Sequence, residues 1–307
     1  MRALLFAGQG QQYLGMALDL LENYQSVRDV FDKASKITKI DLIALLEDEK
    51  MNKTTYTQPL MLTLNQAIFE LLIDNNIEYD YVAGLSLGEY NALIAADVIS
   101  FEDALKIVQQ RALIMDSATK PYSTSMAAVL KADISKITEV LNSEELENKV
   151  GICNINTFDQ IVIGGSKEKL SQAIELLKDA GFKRVIPLEV STVSHMHLLN
   201  DASLKLNKVL KEYEFKKPTK NFINNVEAKI QTDNYSDSLT RHIAQPTKMA
   251  NIIDLMLDNG VEEFVEVGPK KVLSGFVKSI AKKKDKNVII DNVYDYNTLN
   301  QYINKEQ

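Results

Sequence analysis

A serine stands between two glycines in AGLSLGEYNAL (residues 83–93), with the apolar run YDYVAG leading into it and apolar residues at helical spacing following it. No other stretch limits the fold as strongly. A strand that turns into a helix within a few residues brings backbone segments close together, so Gly84 and Gly88 around Ser86 fit a sharp strand–turn–helix elbow. Such an elbow displays its central side chain at the strand end. The helix start adds unpaired N–H groups and the positive end of a peptide dipole, both favourable to a developing oxyanion. Ser86 is therefore the candidate nucleophile, and the chain around it is expected to be of the α/β class.

The rest of the sequence supplies the strands and helices for such a fold. RALLFA reads as a first strand, SVRDVFDKASKI and PLMLTLNQAIFELLIDNN as helices, and EYNALIAADVI and SFEDALKIVQQRALIMDSAT as helices after the elbow. From about residue 125 the rhythm changes. SMAAVL, DISKITEVLNS, VGICNIN, QIVIGGS, KEKLSQAIELLKDAG and RVIPLEV follow in the order βαββαβ, which is the ferredoxin-like order. NKVLKEYEF, NFINNV, MANIIDLMLDNG and EFVEVG then return to alternating helix and strand. The expected architecture is a parallel-sheet core in residues 1–123, a ferredoxin-like insert in 124–189, and the remainder of the core with a C-terminal tail in 190–307. A cleft is expected between the two bodies.

A serine hydroxyl is scarcely ionised at neutral pH and needs a base. Only three histidines are present: His195 and His197 in VSTVSHMHLLNDA, and His242 in SLTRHIAQP. His195 is the first choice, because it follows the last insert strand where the chain re-enters the core, among Ser191, Thr192 and Ser194. Arg111 sits at a helical position beside Val108, Ala112 and Met115, and on that apolar side a guanidinium calls for an anionic partner. AGQGQQYLGM after the first strand suggests a dinucleotide loop, but Gly8-x-Gly10-x-x-Tyr13 lacks the third glycine. Its backbone N–H groups at a strand end are better placed as a second oxyanion donor.

The net charge of -7 gives no reason to expect a nucleic-acid partner, although lysines at 216–220, 270–271 and 282–286 offer local basic patches. One cysteine, Cys153, rules out an intrachain disulfide, and no apolar run approaches the roughly 18 residues of a membrane span. The expectation is a soluble cytoplasmic protein.

FAGQGQQYLGM, GLSLGEYNAL, QQRALIM, VSHMHLL, NNVEAKI and VEVGPKKVLSGFVK, in that order across about residues 1–280, resemble the malonyl-CoA:acyl carrier protein transacylases of bacterial fatty acid synthesis. The resemblance implies an α/β-hydrolase-like core with a ferredoxin-like insert. It also implies ping-pong transfer of malonyl from malonyl-CoA, a substrate, to the phosphopantetheine thiol of acyl carrier protein, by a monomer without metal or redox cofactor. The family's nucleophile falls on Ser86 and its histidine on His195. Its oxyanion-hole N–H groups fall on Gln9 and Leu87, its carboxylate-binding arginine on Arg111, and a histidine-orienting backbone carbonyl on His242. Leu85 replaces a frequent histidine, His242 a frequent glutamine, and Lys270 the second glycine of a GPG turn. Ser194 occupies a position that helps set extender size in polyketide relatives. Three other readings share these motifs: a trans-acting polyketide acyltransferase, a hydrolase editing acyl-loaded carrier, and a catalytically dead carrier-binding module.

Overall fold

The computed structural model describes residues 1–119, 123–143, 146, 149–188 and 192–306. Five strands, β1 (Arg2–Phe6), β2 (Tyr81–Gly84), β7 (Asn221–Phe222), β8 (Glu263–Val267) and β9 (Ile289–Val293), form a wholly parallel sheet in the order β7-β2-β1-β8-β9. Side-chain alternation explains its burial on both sides. Leu4, Phe6, Val82, Val265 and Val267 enter one apolar cluster, shared with the helices Thr54–Asp74 and Phe101–Thr119. Ala3, Leu5, Tyr81, Ala83 and Phe264 enter the other, with the helices Met249–Asp258 and Val272–Lys283. Both faces are covered by helices, as a parallel sheet requires. Phe6 pairs with Gly84 in register, so the loop after β1 and the turn after β2 leave the same sheet edge side by side.

The insert is the ferredoxin-like unit expected from the element order. Strands β3 (Thr124–Leu130), β4 (Val150–Thr157), β5 (Gln160–Ser166) and β6 (Val185–Leu188) pair antiparallel in the order β4-β5-β3-β6. Helices Ile134–Leu141 and Lys167–Asp179 cover one face. On the opposite face Met126, Ala128, Cys153 and Val162 pack against Val193 and Met196, on either side of His195. The edge strand β4 is also bonded to the core: Thr247 N donates to Cys153 O (3.0 Å) and Ile155 N to Thr247 O (2.8 Å). Glu189, Val190 and Ser191, including the last residues of RVIPLEV and the 189/190 boundary, lie outside the described residues.

Several boundaries differ from the sequence reading. The helix expected from Pro59 starts at Thr54, and Pro59 lies inside it. Tyr56 and Thr57 both donate backbone N–H groups to Lys53 O at 2.8 Å, so the chain is already wound before the proline. Helix Asn200–Leu210 ends before most of NKVLKEYEF. The stretch read as a tail carries β9 and the helix Tyr296–Glu306, whose Tyr302 hydroxyl donates to Glu263 at 3.0 Å. Among the described residues no helix is long and apolar enough to cross a membrane.

Candidate active site

Ser86 occupies the turn between β2 and the helix Gly88–Ala95 with φ 54°, a left-handed conformation that a non-glycine residue adopts only under constraint. The constraint is visible. A Cβ on Gly84 would stand 2.0 Å from the carbonyl of Gly88, so the chain can close this tightly only with glycine there. Asn225, just after β7, braces the turn from outside. Its Oδ1 accepts the Ser86 N–H (3.1 Å) and its Nδ2 donates to Gly84 O (2.7 Å).

His195 reaches the serine from the segment between the two bodies. Its Nε2 is 2.7 Å from Ser86 Oγ, and its Nδ1 is 2.7 Å from the backbone carbonyl of His242. Because Nδ1 faces a carbonyl, it carries the hydrogen and Nε2 is the free base. His195 also has a positive φ of 61°, and its own N–H donates to Ile243 O at 2.9 Å. With 1% exposure, burial pushes its imidazole well below the usual range, and the neighbouring His242 ring and the Arg111 charge add to that effect. The ring is therefore neutral and proton-accepting at neutral pH. His197 lies elsewhere, in the short turn His197–Leu199 against Gly151 of β4.

Arg111 comes from the middle of the helix Phe101–Thr119 and is 1% exposed. Its Nη1 donates to Gln58 Oε1 at 2.6 Å and its Nη2 to Ser86 Oγ at 3.3 Å, while its guanidinium stands 5.9 Å from the centre of the Tyr90 ring. Its Nε has no hydrogen-bond partner, and among the described residues no carboxylate forms an ion pair with it. Burial lowers its pKa, yet a guanidinium stays charged at neutral pH. A buried cation with no ion-paired carboxylate, one hydrogen bond from the Ser86 hydroxyl, can accept an anion there.

The loop after β1 forms the other wall. A Cβ on Gly8 would be 2.4 Å from the carbonyl oxygen of Leu85, so this loop lies directly on the elbow. Among the described residues no acceptor takes the backbone N–H of Gln9 or of Leu87. Gln9 is tied by its side chain, with Nε2 donating to Thr54 Oγ1 (3.0 Å) and Oε1 accepting from Gln58 Nε2 (3.3 Å). Lys270 has φ 65°, the conformation a glycine adopts without strain, and its ammonium donates to Gly10 O at 3.3 Å.

The structure thus gathers Ser86, His195, Arg111 and the His242 carbonyl at one point, with Leu87 next in the chain and the loop that carries Gln9 packed on the elbow. Sequence reasoning overlooks Asn225 and Gln58, polar residues that are fully buried here because each satisfies a backbone or guanidinium group of the site. A glutamine on a different helix, 53 positions from Arg111, gives no signal in sequence.

The matches to known proteins agree with this geometry. Residues 3–301 match the family model described as an acyl transferase domain. The chain is 36% identical over 284 residues to malonyl CoA-acyl carrier protein transacylase of Staphylococcus aureus, covering 91% of this chain and 92% of that one. It is similar to the crystal structure of MCAT from Streptococcus pneumoniae, with 40% identity and TM-score 0.94 over 99% of this chain and 100% of that one. A malonyl-transacylase in complex with a type II polyketide acyl carrier protein shares 32% identity and TM-score 0.94, each chain 99% covered. With a family model spanning nearly its whole length and such relatives, the chain belongs to the acyl transferase domain family, among the malonyl CoA-acyl carrier protein transacylases.

Proposed function

We propose that this protein transfers malonyl from malonyl-CoA to the phosphopantetheine thiol of acyl carrier protein, supplying malonyl-carrier for fatty acid synthesis, as a cytoplasmic monomer that uses no metal or cofactor. The observation that carries the reading is Arg111: a buried guanidinium with no ion-paired carboxylate, bonded to the hydroxyl of a Ser–His pair. A malonyl thioester has a carbonyl for the serine and, one methylene away, a carboxylate for the arginine.

In the first half-reaction His195 Nε2 takes the Ser86 proton as Oγ bonds to the thioester carbonyl carbon. The oxyanion is held by the N–H groups of Gln9 and Leu87. Collapse breaks the C–S bond, His195 returns its proton to the departing CoA sulfur, and malonyl remains as an ester on Ser86. The second half-reaction runs in reverse with the carrier thiol: His195 takes the thiol proton, sulfur attacks the ester, and the proton returns to Ser86. A general base of this kind is worth typically 10²–10⁴ in rate.

Incubation with malonyl-CoA alone tests the reading. Intact mass should rise by one malonyl group, peptide mapping should place it on Ser86, and Ser86→Ala should abolish it. Label on Cys153 or on no residue would refute the mechanism. A polyketide carrier as the preferred acceptor is the second reading, favoured by the likeness to the transacylase solved with such a carrier. Comparing turnover with fatty acid and polyketide carriers separates the two.

A further inference from the structure

In many Ser–His sites a carboxylate faces the far nitrogen of the histidine. Here that nitrogen meets the neutral carbonyl of His242, with the backbone of Gln245 also in reach of the ring and no carboxylate against it. The imidazolium formed when His195 takes the serine proton would then lie near the Arg111 cation with no counter-charge against it. One buried carboxylate is close by. Glu89, three residues after Ser86 in the elbow helix, is 1% exposed. Its Oε1 accepts the backbone N–H of Asn225 at 2.9 Å, and its Oε2 pairs with Nδ1 of His242. The His242 ring, also 1% exposed, stacks on His195 with centroids 4.7 Å apart and planes 29° from parallel.

The hydrogen on His242 can be assigned by elimination. Its Nε2 has no hydrogen-bond partner among the described residues while its Nδ1 stands against Glu89 Oε2, so the tautomer with hydrogen on Nδ1 is the one that puts that hydrogen beside an acceptor. Glu89 thus takes the Asn225 N–H on Oε1 and stands with Oε2 against the His242 ring nitrogen. Its charge also reaches Arg111, opposing the effect of burial on the guanidinium.

We infer that Glu89 is the acid of this Ser–His site, a positioning residue that acts through His242 to fix the carbonyl facing His195 and to offset the charge His195 gains. The inference rests on the reading of His195 as the base. Glu89 takes no proton at any stage. The serine or thiol proton travels only to His195 Nε2 and back, while Glu89 keeps its charge and holds the His242 ring and backbone in place. His242 thus contributes its side chain as well as its carbonyl.

Single-turnover acylation by malonyl-CoA, followed by intact mass, tests this in the full-length protein. Glu89→Gln keeps an acceptor for Asn225 but turns an N–H toward His242. It should lower the acylation rate constant about 10–100-fold, the usual effect of losing an outer hydrogen-bond partner, with KM changed less than about threefold. His242→Leu keeps the backbone carbonyl and should lose as much. His242→Gln, whose amide can donate to Glu89, should recover at least about tenfold of that loss. Because both residues act along one path, Glu89→Gln combined with His242→Leu should be no slower than the slower single variant, within about threefold. Wild-type acylation by His242→Leu, additive losses in the double variant, or losses confined to KM would each overturn the inference. If Glu89→Gln does not fold by circular dichroism, His242→Leu against His242→Gln decides the matter alone. Failure of the wild-type chain to form a serine ester is a different result and would refute the Ser–His reading itself.

Discussion

Removing the Arg111 guanidinium should change which acyl group the site accepts more than how well the protein folds. In the free protein the guanidinium has two neutral partners, Gln58 at 2.6 Å and Ser86 at 3.3 Å, and an unpaired Nε. A malonyl carboxylate brings the missing anion and can form two charge-assisted hydrogen bonds, each worth about 1.5–3 kcal/mol net. Together these amount to a preference of malonyl over acetyl on the order of 10²–10⁴ in kcat/KM, since each 1.36 kcal/mol is tenfold. Acetyl offers the cation nothing and leaves it buried.

The Arg111→Ala variant should therefore lose malonyl transfer by roughly that factor while acetyl transfer holds or rises. Arg111→Lys should fall between, because an ammonium cannot match the two-pronged geometry and loses its charge more easily when buried. Stability should shift little. Gln58 Oε1 loses its donor, at a cost of about 1 kcal/mol, but a buried cation with no ion-paired carboxylate is itself unfavourable, and removing it offsets that cost. The assay is transfer from malonyl-CoA and acetyl-CoA to one carrier protein, with thermal unfolding alongside. Equal losses for both acyl groups would mean that Arg111 is structural and that the carboxylate argument is wrong.

Other outcomes follow from the same geometry. His195→Ala should slow acylation and carrier transfer alike by about 10²–10⁴ in rapid-quench measurements, and a loss confined to one half-reaction would contradict a shared base. Gly84→Ala places a Cβ 2.0 Å from the Gly88 carbonyl and should cost at least about 3 kcal/mol in urea unfolding, with Ser86 acylation lost; a stable, active variant would refute the close-packed elbow. The depressed His195 pKa has a stability consequence of definite sign, because below about pH 6.5 the unfolded chain takes up a proton that the folded chain refuses. Stability should thus fall with pH from about 6.5 downward, by up to about 1.4 kcal/mol per pH unit, and this part should be missing in His195→Gln.

What could be read in the sequence depends on how local each cause is. The elbow is legible because its constraint lies within a few residues: Gly84 and Gly88 must be small whatever surrounds them, and the flanking strand and helix patterns are contiguous. The insert is legible for the same reason, its hairpin and helices being set by short-range pattern. Helix ends are less so, as Pro59 shows: a proline suits a first turn, but the residues before it wind anyway once packed. The braces of the site are illegible because they join distant residues. Asn225 reaches Ser86 across 139 positions and Glu89 across 136, and neither asparagine nor its neighbours depart from ordinary loop composition.

Glu89 is an instructive middle case. It is the one charged side chain between Asp80 and Asp97, in a helix whose eight residues are all buried. An ionisable group in such surroundings must be neutralised or paired, so the sequence by itself raises the question of a partner. It cannot answer it, because the answer depends on where the chain returns after the insert. That return is held by contacts with no sequence pattern, among them Thr247 on β4 and His195 N on Ile243 O, which accompany the placing of the His242 ring against Glu89 and of its carbonyl against His195. The insert therefore does more than wall the cleft. By holding Thr247 through its edge strand, it anchors the segment that follows His242, whose carbonyl faces the base, and loosening that edge should disturb His195 before it disturbs Ser86.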